Sequence, residues 1–429
     1  MLHSKRHEGR LGALARPRGI LSALILVVAG LALAWTCIRT TITEVLPAQS
    51  PAFMRIAPDD GRGALTRAVL ALAATVNPRD PMSIGFGRKS LDPATIAAVR
   101  RAAMQLPLDE RPYLILGHEQ LVRRQTDRGI RSLEAGQRLD PRNRLIHLAL
   151  VVQYLTTNRF DLAAEQMSVL SRLVSDTQPF VATALAQMIL IPKTEPAVEH
   201  ALRTDPNLER SVLTTLAKST TSPDRIFALA SPRALADAGN HESWGPALVS
   251  RLVDAGQFPE ARRVWQRIYH LPEAAVTAPI FNPEFRTMSA SPPFDWTLTA
   301  GGLGAADPEN GELAVDYYGR DSGNLASQTL VLSPGRYQIA FAAEGGKPNA
   351  ASRLFWTVAC ATGDKTALVN VAVPTSPGSH RVSGAFAVPA TCPAQTLTLR
   401  GEEGEFPSPI SLTLKGLAIR AAGAPEAKP

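Results

Sequence analysis

Three successive patterns of apolar and polar residues divide this chain of 429 residues. From Gly19 to Ile38 no residue is charged. From about Gly61 to Tyr269, apolar residues recur every three or four positions, which is the period of an amphipathic helix. From about Pro279 they alternate with polar residues between turns rich in Gly and Pro, which is typical of short antiparallel strands. The sequence predicts a multidomain α and β protein, with one membrane-length helix, an α-helical domain and a C-terminal antiparallel β-sandwich.

The uncharged stretch, residues 19–38, is long enough to be a transmembrane helix. Its twenty residues rise about 30 Å as a helix, which matches the hydrocarbon core of a bilayer. The tail before it, residues 1–18, is basic, and an excess of Lys and Arg marks the cytoplasmic side. This predicts a single-pass protein of a bacterial inner membrane, with its N-terminus cytoplasmic and its bulk periplasmic. A cleaved signal peptide is the alternative, because Ala32-Leu33-Ala34 has the small residues of a cleavage site.

The predicted helical domain, residues 61–278, follows a proline-rich linker at residues 39–60 and repeats itself about every 33 residues. Small residues such as Ala163 and Ala261 let paired helices approach closely, and large residues such as Phe160 fill the space to the next pair. This spacing resembles tetratricopeptide repeats (TPR), through Tyr113, Leu116, Gly117, Leu133, Pro141, Leu150, Tyr154, Asn158, Phe160, Ala163, Met167, Leu252, Gly256, Phe258, Ala261 and Trp265. Gly129 and Gly136 depart from the pattern, since alanine is usual there. The resemblance implies a stacked solenoid that binds protein partners on its concave surface.

The predicted β-sandwich spans residues 281–422, and residues 423–429 are predicted to be a disordered tail. Its strands are expected at Glu312–Tyr318, Ser327–Leu332, Arg336–Ala342, Leu354–Ala361, Ala367–Val373, Arg381–Val388, Gln395–Arg400 and Ile410–Ile419. The opening stretches, Asn282–Phe285 and Pro293–Trp296, and the strand–turn–strand from Leu325 to Phe341 resemble jelly rolls of the galactose-binding-like and carbohydrate-binding-module-like kind. The resemblance implies the fold, and a sugar ligand only by analogy.

The three cysteines divide between the predicted anchor and the predicted sandwich. Cys37 lies in the anchor, whereas Cys360 and Cys392 lie in the exported domain. Because an exported pair of cysteines in one small domain favours a disulfide, we predict that Cys360 and Cys392 are joined.

Charge and motifs narrow the classes of function. The formal net charge is +7, but Lys and Arg do not cluster with aromatic residues, and we predict no nucleic-acid partner. The G-x-S-x-G, H-E-x-x-H, Walker A and C-x-x-C motifs are absent from the sequence, and its eight histidines show no metal-ligand spacing. The sequence indicates no metal site, no cofactor and no enzyme. A glycan-active enzyme stays open as an alternative, because paired carboxylates need only converge in space.

One strand end and its loop carry the candidate sugar-binding residues. Sugar rings stack on aromatic faces, and their hydroxyls pair with planar polar groups. The candidates are Tyr317, Tyr318, Arg320, Asp321 and Asn324. Because successive strand side chains point to opposite faces, one of the two tyrosines should be a core residue. An ordinary polar strand end is the alternative interpretation, and the two tryptophans of the alternating region, Trp296 and Trp356, are predicted to be core residues.

Together these patterns favour a non-catalytic, membrane-tethered scaffold of the cell envelope. It would bind partner proteins through its helical repeats, in exopolysaccharide or cell-envelope assembly. The alternative is a glycan-binding protein that acts through the jelly roll, with a polysaccharide as its partner. This choice rests on architecture alone, because no motif in the sequence identifies a reaction.

Overall fold

The computed structural model describes this chain in nine stretches. They are residues 17–47, 50–57, 59–74, 89–173, 178–286, 290–345, 351–363, 365–406 and 408–422. Within them, the side chains of residues 17–24, 42–44 and 54 are not described. The predicted tail at 1–18 lies outside these stretches except for its last two residues, and the predicted tail at 423–429 lies outside them entirely.

Helices fill the described chain as far as Thr277. They are α1 (Pro17–Val45), α2 (Pro51–Ile56), α3 (Gly61–Ala73), α4 (Pro93–Gln105), α5 (Arg111–Val122), α6 (Thr126–Leu139), α7 (Arg144–Thr156), α8 (Phe160–Leu173), α9 (Gln178–Met188), α10 (Glu195–Thr204), α11 (Pro206–Ala217), α12 (Pro223–Leu229), α13 (Pro232–Ala236), α14 (Trp244–Asp254), α15 (Phe258–Ile268) and α16 (Glu273–Thr277). The predicted helical character of this part of the chain is confirmed.

The apolar stretch 19–38 lies within α1. Large apolar side chains such as Leu26 and Leu33 are exposed there. Among the described residues, no helix combines the length and the apolar character that crossing a bilayer requires. Because residues 19–24 of the predicted anchor have no described side chains, that part of the prediction lies outside what the structure describes. The structure does not confirm the predicted transmembrane helix.

The segment 39–60, the predicted linker, contains helical structure. Helix α1 runs into it as far as Val45, and α2 begins at Pro51, a first-turn position that proline favours. The Ser50 hydroxyl caps α2 by accepting a hydrogen bond from the Phe53 amide at 3.2 Å. Phe53 is buried, and its ring lies 3.2 Å from where a Cβ on Gly63 of α3 would stand. Burial of this ring holds α2 against α3.

The chain forms two compact units, Met1–Val181 and Ala182–Pro429. In the first unit α5 packs on α6 and α7 on α8, and in the second α14 packs on α15. Each pair turns through one residue with left-handed backbone: Arg124, Asn158 or Gly256. At each turn, the amide of the following residue donates a 2.8 Å hydrogen bond back to the last turn of the first helix. Helix hairpins with the same kind of turn therefore recur in this part of the chain.

The two glycines that depart from the repeat pattern lie where helices touch. A Cβ on Gly129 would stand 2.6 Å from the Leu121 side chain, and one on Gly136 would stand 2.9 Å from Ile146. Alanine would not fit at either position without movement of its neighbours. The close approach of α6 to its neighbours explains why glycine replaces alanine here.

The C-terminal part folds as two antiparallel sheets, as predicted. The strands are β1 (Thr297–Leu298), β2 (Ala300–Gly301), β3 (Gly304–Glu309), β4 (Glu312–Tyr317), β5 (Gly323–Leu330), β6 (Gly335–Gly345), β7 (Arg353–Cys360), β8 (Ala367–Ala372), β9 (Ser379–Val388), β10 (Gln395–Glu402) and β11 (Ile410–Ala421). The five-stranded sheet has the order β1-β5-β10-β7-β8, and the six-stranded sheet has the order β2-β3-β4-β11-β6-β9. Strands β1, β2 and β3 were not predicted, because they are short or contain Gly and Pro.

The hydrophobic core of the sandwich lies between its two sheets. Trp296 and Trp356 are both buried there, with ring centroids 5.9 Å apart, which confirms the prediction that both are core residues. They pack among inward-facing residues of both sheets, including Leu399 from the five-stranded sheet and Ile339 from the six-stranded sheet. Alternating strand positions therefore supply this core.

The last helix hairpin is joined to the sandwich by an aromatic cluster. The Trp265 ring on α15 lies 4.9 Å from Phe281 and 5.7 Å from Phe294, measured between ring centroids. Its indole Nε1 donates a hydrogen bond of 2.8 Å to the carbonyl of Ser291. The side-chain amide of Gln328 in β5 donates to the Phe281 carbonyl at 2.8 Å and accepts from the Phe281 amide at 3.1 Å. This segment is therefore held on both its helical and its sheet side.

Cys360, at the end of β7, forms a disulfide with Cys392, which precedes β10. The two Cα atoms are 5.6 Å apart, within the range that a disulfide spans. The link joins the end of β7 to the segment that leads into β10, its neighbour in the five-stranded sheet.

Reduction of this disulfide should destabilise the sandwich. The cysteines are 32 residues apart, and closing such a loop is worth about 3–4 kcal/mol in the chain-entropy treatment. Urea unfolding of the full chain, followed by tryptophan fluorescence with and without reductant, measures the loss. A Cys37→Ala variant is the control, since it should show the same loss. Free, alkylatable thiols at both positions in the unreduced protein would contradict the pairing.

Candidate functional site

Tyr317, one of the sequence candidates, is a structural residue rather than a ligand platform. It ends β4 with its side chain fully buried. Its hydroxyl donates a 2.8 Å hydrogen bond to the carbonyl of Asp321, and burial raises the pKa of this phenol. Its ring covers Gly401, where a Cβ would stand 2.5 Å from a ring carbon. Because both ring faces lie in the core, Tyr317 is removed from the set of residues able to contact a sugar.

The other four candidates are exposed. Tyr318 has 43% of its surface accessible, and Arg320, Asp321 and Asn324 are also exposed. Among the described residues, no side-chain hydrogen bond joins Tyr318, Arg320 and Asn324 to one another. Gly319 in this loop has a left-handed backbone (φ +69°), and a side chain there would collide with the Ser352 hydroxyl and the Ser408 backbone, so the turn requires glycine.

Asn324 differs from the other candidates because it belongs to a different sheet. It lies in β5 of the five-stranded sheet, opposite Arg400 of β10, and Arg400 lies opposite Phe355 of β7. Tyr318 follows β4 of the six-stranded sheet. The structure therefore places Asn324 on an open sheet face that the sequence interpretation did not identify.

A row of polar side chains crosses that face from edge to edge. Registered neighbours on five successive strands point to the same side of the sheet, and all five are half-buried or exposed. We call this set the polar row; it consists of Thr297, Ser327, Thr398, Thr357 and Asn370. Strands in a sheet lie about 4.8 Å apart, so the row extends over about 19 Å. The Thr357 hydroxyl donates a 2.9 Å hydrogen bond to the Asn370 side-chain oxygen, which aligns the two groups.

Further residues extend the polar row along the strands. Thr329 and Thr396 pair on one side of it, and Asn324, Arg400 and Phe355 lie on the other. We call the polar row together with these five residues the polar face. Phe355 is half-buried and lies opposite Arg400 in the strand register, where it adds an apolar ring to the face. Near this end, the Arg400 Nε lies 4.0 Å from a Glu402 carboxylate oxygen.

The polar face suits hydrogen bonding to an uncharged partner. Each Thr or Ser hydroxyl both donates and accepts, and so does each Asn amide group. The six-stranded sheet has a different outer surface, where Lys415 bonds Glu344 and lies 3.8 Å from Glu312. The hydrogen bond to Glu344 raises the pKa of Lys415, so these charges already satisfy one another. The polar face of the five-stranded sheet differs from this surface, because it carries mainly hydroxyl and amide groups.

The polar face was missed because strand alternation was used only to find the core. In β10 the residues Thr396 and Thr398 alternate with Leu397 and Leu399, and this signal is visible in the sequence. The order of the strands is not visible there, because β5, β10 and β7 are distant in the chain. Only the paired registers bring the hydroxyls into one row.

Apart from the polar face, a depression lies in the helical part of the second unit. It has a volume of about 390 Å³ and is lined by Arg210, Asp237, Asn240, His241, Glu242 and Ser243. Both charge signs line it, which gives it no preference for one ligand charge. Among the described residues, no cluster of His, Cys, Asp and Glu has the grouping that a metal ion needs.

No protein-family model matches the chain, and no curated protein matches it either. Solved structures to which it is similar include a CBM4 structure, with 15% identity, a TM-score of 0.23, and coverage of 29% of this chain and 94% of that chain. TmCBM61 in complex with β-1,4-galactotriose has 15% identity and a TM-score of 0.25, and the match covers 34% of this chain and 98% of that chain. The CBM22-1 xylan-binding domain of Xyn10C from Paenibacillus barcinonensis has 17% identity and a TM-score of 0.23, and the match covers 31% of this chain and 88% of that chain. The similarity extends over about a third of this chain.

Alanine variants of the two adjacent tyrosines should behave differently. Tyr317→Ala empties a buried site and loses a hydrogen bond, so it should cost about 3–5 kcal/mol of unfolding free energy, as large aromatic truncations do. Tyr318→Ala is the matched control, because an exposed substitution should change stability by no more than about 0.5 kcal/mol. Urea unfolding measures both. Equal losses in the two variants would show that Tyr318 is buried as well.

Proposed function

We propose that this protein binds an extended, hydroxyl-rich glycan across the five-stranded sheet of its sandwich. The observation that supports the proposal is the polar row, which carries one small polar side chain on each of five registered strands. A row about 19 Å long exceeds the size of one sugar ring and fits several consecutive sugar units. An oligosaccharide lying across the strands is the ligand shape that the row favours.

The chemistry of the polar face matches that of a sugar. Sugar hydroxyls need partners that donate and accept. The Thr398 hydroxyl can do both, and the Thr357 hydroxyl, whose hydrogen is donated to Asn370, can accept. The planar groups of Asn324 and Arg400 offer paired donors, and the Phe355 ring offers an apolar surface to the C–H face of a sugar. Such contacts give recognition without charge neutralisation.

Binding without cleavage is part of the proposal. Glycoside hydrolysis by the usual route needs two carboxyl groups on opposite sides of the bond. None of the ten residues of the polar face carries a carboxyl group, and the Glu402 carboxylate next to the face lies 4.0 Å from Arg400 Nε. The face therefore offers a binding surface rather than an acid–base pair.

Removing hydroxyls from the polar row should weaken glycan binding without unfolding the protein. In Thr357→Val/Thr398→Val the side chains keep their shape but lose two hydrogen-bonding groups. A net hydrogen bond contributes about 0.5–1.5 kcal/mol, so affinity should fall by about fivefold to more than a hundredfold for the pair. A glycan array identifies the ligand, and calorimetry on the full chain measures the change.

The control variant is Thr413→Val, which removes a hydroxyl from β11 in the other sheet. It should bind like the unmodified protein. Unchanged affinity in the double variant would show that the glycan does not bind at the polar face. If the unmodified chain binds nothing on the array, glycan binding itself is rejected.

A tethered scaffold is a second proposal for the helical part of the chain. The recurring turns at Arg124, Asn158 and Gly256 support a TPR-like solenoid that binds protein partners. The uncharged stretch at 19–38 and its basic flank support attachment to a bacterial inner membrane, with the sandwich in the periplasm. In this arrangement one protein would bind an envelope protein through the solenoid and a glycan through the sandwich.

Topology fusions test the tethered arrangement. Alkaline phosphatase is active only after export, so a fusion after Pro279 should be active and a fusion before Arg18 should be inactive. Membrane fractionation then distinguishes a retained anchor from a cleaved signal. A mature N-terminus near Trp35 would support cleavage, and an inactive fusion after Pro279 would contradict export.

A further inference from the structure

A line of arginines runs along the exposed side of α6 in the first unit. Arg128, Arg131 and Arg138 lie on this helix at spacings of three and seven residues, which place them on one face. Arg124 precedes the helix and Arg142 follows it, and all five side chains are exposed. We call these five residues the arginine stripe. From Arg128 to Arg138 the helix rises about 15 Å.

The opposite side of α6 explains why the stripe faces outward. Gly129, Ile130, Leu133 and Gly136 are buried against the neighbouring helices. Burial of this apolar side fixes the rotation of α6. Packing of the helix therefore holds Arg128, Arg131 and Arg138 on one face.

Three acidic residues, Asp127, Glu134 and Asp140, lie close to the arginines along the chain, and each has a partner other than a guanidinium of the stripe. The Asp127 carboxylate lies 3.6 Å from the Arg159 guanidinium. Glu134 accepts a 2.9 Å hydrogen bond from the Tyr154 hydroxyl, and burial together with this bond raises the pKa of that tyrosine. Asp140 accepts a 2.9 Å hydrogen bond from the Arg142 backbone amide. Within the described part of the chain, no carboxylate pairs with a guanidinium of the arginine stripe.

We propose that the arginine stripe binds a carboxylated polysaccharide, such as a polymer that contains uronic acids. A row of like charges on a rigid helix is complementary to a polymer with regularly spaced anionic groups. The cations are all arginine, whose planar fork bonds a carboxylate through two parallel hydrogen bonds. This site is separate from the polar face and would bind by charge, whereas the polar face would bind by neutral hydrogen bonds.

The surroundings of the stripe favour a polymer over a membrane surface. A helix that lies in a bilayer interface buries large apolar residues beside its basic ones. On the described surface of α6, Leu139 at its end is the one large apolar residue that is exposed. The exposed face between Arg131 and Arg138 offers Ala135 and no larger apolar group.

The test compares two charge-matched triple variants of the full chain. Arg128→Gln/Arg131→Gln/Arg138→Gln removes the centre of the stripe. Arg336→Gln/Arg381→Gln/Arg420→Gln removes three exposed arginines from the six-stranded sheet and is the control. The probe is polygalacturonate, and its affinity is measured at several salt concentrations.

The stripe variant should bind polygalacturonate at least tenfold more weakly than the unmodified chain at low salt. Its affinity should also depend less on salt, because fewer charge contacts are screened. The control variant should retain both affinity and salt dependence. Equal losses in the two triple variants would overturn the proposal, since they would indicate attraction by net charge alone.

Two further probes separate this site from its alternatives. Vesicles that contain anionic lipid should not compete with polygalacturonate, and preferential binding of vesicles through the stripe would replace the polymer with a membrane. Any neutral glycan bound through the polar face should bind the stripe variant normally. The two proposals can therefore fail independently. The triple Arg→Gln variant tests only the arginine stripe, and Thr357→Val/Thr398→Val tests only the polar face.

Discussion

A two-sheet sandwich depends on one constraint, which is that its core takes every second side chain of each strand. In β7 the core takes Trp356 and Val358, and this turns Thr357 outward. In β10 it takes Leu397 and Leu399, which turns Thr398 outward. Packing of the core therefore creates the polar row on the opposite side.

The same constraint holds the register of the strands. A slip of one residue would turn the threonines into the core and the leucines into water. Apolar burial opposes such a slip in every strand. The register of the paired strands therefore fixes where the hydroxyls lie. Strand pairing sets the positions of the side chains on the polar face, whereas Tyr318, Arg320 and Asp321 lie in the loop between β4 and β5.

The join between the last helix hairpin and the sandwich uses a different principle. Gln328 faces the interior, where an unpaired amide would be costly, and its two polar atoms are satisfied by the backbone of Phe281. Phe281 in turn packs edge-on against Trp265. Phe281 is thus held on one side by two hydrogen bonds and on the other by an aromatic contact. The second compact unit contains both helices and sheets.

The sequence by itself determined the elements that depend on short-range patterns. The 3.6-residue and 2-residue periods predicted the helical part and the sandwich, and alternation predicted that Tyr317 and Tyr318 face opposite sides. It did not decide which tyrosine is buried, because that depends on Gly401 and Asp321 closing around Tyr317. It did not predict α2 either, since that helix depends on the burial of Phe53.

Only the tertiary structure decided where the polar groups meet. Thr297, Ser327, Thr357, Asn370 and Thr398 are dispersed along the chain, and each by itself is an ordinary polar strand position. They become one surface because non-local pairing places β5 and β7 on either side of β10. Local periodicity specifies the two faces of a strand, but the free energy that selects its neighbours comes from the burial of the whole core.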